Sequence, residues 1–144
     1  MLDPVSLFTW EPHIDQRRVH ADTLVVTLGS SLDAGHAQRL LDTQLLDHLP
    51  NHVLGRFDAD QVIDYSGRRP EIVFDRDHFA DYAKPEIALH LVTDKEGRDF
   101  LLLNGPEPSF QWERMADGIE YVIDQLGGKN TILTKSIPAP APHT

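Results

Sequence analysis

Leu24-Val25-Val26-Thr27-Leu28 runs straight into Gly29-Ser30-Ser31, and helically spaced apolar residues follow at once. So short and so continuous an apolar run is the pattern of a strand covered on both faces. The glycine and two serines end it. From Asp33 onward, Ala34, Ala37, Leu41 and Leu45, with Leu40 and Leu49 beside them, recur at helical spacing until Pro50 and Asn51 close the segment. Val53 to Phe57 reads as a second strand. Strand, helix, strand makes a parallel crossover, which is right-handed in nearly all proteins, so the chain is predicted to be α/β.

The rest of the chain fills in a mixed sheet. Asp58 can cap a helical turn through Ala59, Val62 and Ile63. A polar loop, Ser66-Gly67-Arg68-Arg69-Pro70, leads into strand-like Glu71 to Phe74. Ile87 to Thr93 and Phe100 to Asn104 flank Asp94-Lys95-Glu96-Gly97, where the glycine supplies the left-handed conformation that closes an antiparallel hairpin. An antiparallel pair argues against an all-parallel dinucleotide fold. Gly105-Pro106-Glu107-Pro108 breaks the chain, Ser109 is a plausible cap, and Trp112, Met115, Ala116, Ile119, Val122, Ile123 and Leu126 form an apolar stripe up to Gly127-Gly128. Thr131 to Thr134 reads as a last strand; Pro138, Pro140 and Pro142 then lack the donors a ladder needs. Residues 1–23 show no sustained period and are expected to form an irregular arm laid over one domain of residues 24–144.

Charge and composition restrict the partners. Thirteen Lys and Arg against 23 Asp and Glu give a net charge of -10, which repels nucleic acid and anionic membranes. With no cysteine there is no disulfide framework, thiol nucleophile or thiolate zinc site, and a reducing cytoplasm is the expected location. The first residues lack the pattern of a signal peptide, and no apolar run approaches the ~20 residues of a membrane helix.

Four places carry chemistry-bearing residues. The turn from Gly29 to His36 lies between a strand end and a helix start, where unpaired N–H groups suit an anion. It is neither G-x-G-x-x-G nor a phosphate loop with its lysine, and the plainer role of Asp33 is a cap or first-turn acid, that of His36 a packed or surface histidine. Arg68 and Arg69 put two guanidinium groups on one loop, suited to a carboxylate or phosphate but equally to neighbouring Asp58, Asp60 or Asp64. Gly105 to Pro108 ends a strand where open α/β sheets tend to bind ligands, so Glu107 is expected to share a crevice with Asp33; the bland alternative is a rigid turn with Trp112 as core. Asp75-Arg76-Asp77-His78 lacks a second cluster with metal-ligand spacing, so no metal and no cofactor are expected. No G-x-S-x-G elbow occurs.

Asp33-Ala34-Gly35-His36-Ala37, Phe57-Asp58 with Asp64-Tyr65 and Arg68-Arg69-Pro70, Gly105-Pro106-Glu107-Pro108 with Trp112, and Ile137-Pro138 with Pro142-His143-Thr144 together resemble the bacterial branch of the proteasome assembly chaperone 2 family. The order fits from Leu24 to Thr144, although Ser66 stands where another arginine is expected. The resemblance implies a three-layer α/β fold with a mixed sheet, similar to purine nucleoside phosphorylases, and a homo-oligomer. Members of this kind continue past the proline-histidine-threonine segment, so the chain is expected to be incomplete at its carboxyl end. Two functions follow as expectations. One is a non-enzymatic, assembly-chaperone-like protein with protein partners. The alternative is an enzyme or binder for a phosphate- or carboxylate-bearing small molecule, held by Gly29, His36, Arg68, Arg69 and Gly105, with Asp33 or Glu107 as acid/base.

Overall fold

A computed structural model describes residues 3–29, 34–66, 73–75, 78–80 and 85–136. Among them the strands are β1 (Phe8–Trp10), β2 (Thr23–Gly29), β3 (Asn51–Phe57), β4 (Val73–Asp75), β5 (His78–Ala80), β6 (Ile87–Thr93), β7 (Asp99–Pro106) and β8 (Asn130–Leu133); the α-helices are α1 (Ala37–His48), α2 (Ala59–Val62) and α3 (Trp112–Gln125). Six strands form one sheet in the order β1-β3-β6-β7-β2-β8, and β4 with β5 makes a separate antiparallel pair.

The sheet is mixed, as expected. β2 runs parallel to both β7 and β8, while β1, β3, β6 and β7 alternate in direction. The crossover from β2 through α1 reaches a parallel strand, but not an adjacent one, because β7 and β6 lie between β2 and β3. The Asp94 hairpin is present, with Gly97 at φ 81° and Thr93 opposite Asp99.

Alternation along β2 separates the two faces of the sheet. Leu24 and Val26 point into the core that Met115, Val122 and Leu126 of α3 cover, joined there by Leu89, Leu101 and Leu103. Thr27 points the other way, to α1, and its hydroxyl donates to Asp42. The stripe predicted for α1 is corrected accordingly. The α-helix begins at Ala37 rather than near Asp33, after a 3-10 turn in which Gly35 (φ 63°) and His36 (φ 54°) are left-handed. Its one fully buried residue is Gln38, whose amide donates to the carbonyls of Leu28 and Thr134, and Leu40 is 63% exposed. A sheet face that offers a hydroxyl and carbonyl ends is met by polar side chains, which apolar spacing cannot reveal.

The amino-terminal residues are likewise more than an arm. Phe8–Trp10 pairs antiparallel with β3 as an edge strand, and Leu7 is wholly buried. The Phe8 ring lies 4.9 Å from that of Trp10 and 4.8 Å from that of Phe57. Arg114 ties the segment down: almost fully buried, it donates to the Asp3 carbonyl (2.9 Å), Ser6 Oγ (2.6 Å), Gln61 Oε1 (2.6 Å) and Gln111 Oε1 (3.0 Å). Neutral acceptors thus satisfy a buried cation whose desolvation would otherwise be costly.

Gly55 decides whether β1 can close. A Cβ there would run into the Phe8 ring and the Thr9 carbonyl oxygen. Gly55→Ala is therefore expected to push β1 off β3 and cost about 1–3 kcal/mol. Urea unfolding measures the loss; a variant as stable as the parent would show that β1 is not packed this way.

Candidate functional site

The two turns singled out in the sequence meet at one end of the sheet. In the β2–β7 ladder Leu28 pairs with Gly105 and Gly29 with Pro106, and the Glu107 N–H donates to the Gly29 carbonyl at 2.8 Å. Gly105 has φ 141°, and a Cβ there would strike the Glu86 backbone at the start of β6. Only glycine lets the end of β7 lie so close to β6.

Beside this junction is a cleft of about 190 Å³ lined by Val26, Leu28, Glu107, Trp112, Leu133, Thr134 and Lys135. Its walls are almost wholly apolar. Leu133 is level with Val26 across the β2–β8 ladder, so both point to the face that α3 covers. Lys135 Nζ pairs with Glu107 Oε1 at 2.9 Å at the rim of the cleft, with the Glu107 side chain 17% exposed. Trp112 is not core, as the helical stripe implied: it opens α3, hangs over the end of the sheet and is 51% exposed, while Met115, Val122 and Leu126 fill the interior.

Of the residues put forward from the sequence, Gly29, Gly105 and Glu107 come together here. His36 does not line the cleft; it is exposed at the start of α1. Asp33, Arg68 and Arg69 lie outside the described residues, as does Asp77. Lys135 carried no signal in the sequence, because a lone lysine after a strand looks like any solvated cation.

A second hollow at the same end of the sheet, about 260 Å³, is lined by Ser6, Thr9, Arg56, Asp58, Asp60 and Glu86, among others. Its guanidinium is already engaged, by Glu11 and by Glu86 at 3.4 Å. The larger hollows, about 590 and 670 Å³, are open-sided and surround the charged Asp94–Arg98 hairpin at the opposite end of the sheet. Among the described residues no group of His, Asp and Glu could hold a metal ion, and no helix is long and apolar enough to cross a membrane.

With this geometry in place, a family match decides the chain's relationships. The profile of the PAC2 family matches residues 28–144, from the end of β2 through both turns. The chain belongs to the PAC2 family. Among solved structures, this PAC2 chain is similar to a Mycobacterium tuberculosis protein of unknown function, at 34% identity and TM-score 0.79, over 88% of this chain and 44% of that one. It is similar also to a Corynebacterium glutamicum protein of unknown function, at 29% identity and TM-score 0.84, over 94% and 52%. A third likeness is to a Mycobacterium tuberculosis proteasome-assembly chaperone homologue, at 24% identity and TM-score 0.76, over 85% and 52%, and it speaks to the fold alone. No curated protein matches the chain. The chain spans about half the length of these solved relatives.

On the other face of the sheet, His90 of β6 is the described histidine with the most constrained environment. Its Nε2 lies 2.8 Å from Asn104 Oδ1, and its Nδ1 is buried without a partner. Burial lowers its pKa below the ordinary 6.5; the Asn104 contact opposes this, Arg56 reinforces it and Glu86 opposes it. As pH falls, the unfolded chain takes up this proton before the folded one. The stabilising contribution is thus complete above about pH 6.5 and is lost as pH drops below it. Urea unfolding between about pH 8 and about pH 5 should show a steeper loss in the parent than in His90→Asn; equal slopes would remove His90 from this role.

Proposed function

We propose that this chain is a non-enzymatic, protein-docking module of assembly-chaperone type, whose partner seats on the apolar cleft between β8 and the start of α3. One observation carries the reading: the crevice beside Gly29 and Gly105 is apolar and open, with Trp112 and Leu133 in its lining each at least half exposed. Exposed large apolar side chains gathered at one place mark interaction surfaces more often than scattered ones do. Membership of the PAC2 family supports the same reading. A cytoplasmic location and self-association belong to this proposal.

A small-molecule reading draws less support. At about 190 Å³ the cleft falls short of the roughly 300–1,000 Å³ of drug-sized and cofactor sites. Lys135, the cation lining it, is held by Glu107.

Two measurements test the proposal. Affinity capture from gently lysed cells should recover a partner with the parent chain and lose it by about tenfold with Leu133→Asp; equal recovery by both would retire the cleft as the docking site. A thermal-shift series with phosphate, nucleosides and nucleotides should be flat, whereas a concentration-dependent rise in Tm would favour the small-molecule reading.

A further inference from the structure

We draw no further inference here: the strongest candidate, the exposed outer face of α3, where Glu113, Asp117, Glu120 and Asp124 follow one another at helical spacing beside Tyr121, is an acidic cluster on a helix surface, and nothing in the structure shows what covers it.

Discussion

The structure depends on the insertion of β2 between β7 and β8. Leu24 pairs with Leu101 on one side and with Thr131 on the other, so a strand near the start of the chain is held between two strands from its last third. Parallel partners cannot be joined by a tight turn. The chain between β7 and β8 must cross over β2, and α3 is that crossing. Its Met115, Val122 and Leu126 cover Leu24 and Val26, and its first residue, Trp112, is carried to the carboxyl end of the sheet.

The cleft is a consequence of the same insertion. β2 leads to α1 on the Thr27 face, whereas β7 leads to α3 on the Val26 face. Where neighbouring parallel strands send their connections to opposite faces, a crevice opens beyond their carboxyl ends. Gly29 and Gly105 stand at that point. The Glu107 N–H closes onto the Gly29 carbonyl, and Glu107 then holds Lys135. A position favourable for ligands in many α/β proteins is lined in this one by Val26, Leu28, Trp112 and Leu133.

Local signals in the sequence were legible and long-range ones were not. The β6–β7 hairpin can be read because its turn lies between its strands, and β2 because an unbroken apolar run demands cover on both faces. Nothing in Leu24–Leu28 says that the cover comes from strands some 75 and 105 residues away, so strand order is hidden. β1 is too short to show a period, and its burial depends on the missing side chain of Gly55. Apolar spacing found α1, with Leu41 and Leu45 half-buried, but missed its docking through Gln38 and Asp42, and it misplaced Trp112, because a stripe does not say where a helix starts over the sheet. Gly29, Gly105 and Glu107 were recoverable as strand-end turns. Lys135 was not, since its partner is 28 residues away.

Magnitudes explain why the apolar cleft alone is a weak handle. Trp112 and Leu133 are each half exposed or more, so completing their burial is worth roughly 1–2 kcal/mol apiece, about 3 kcal/mol together. Association itself costs an estimated 4–15 kcal/mol in lost freedom. A partner that touched only these two side chains would hardly bind. The remainder must come from further surface around the rim of the cleft.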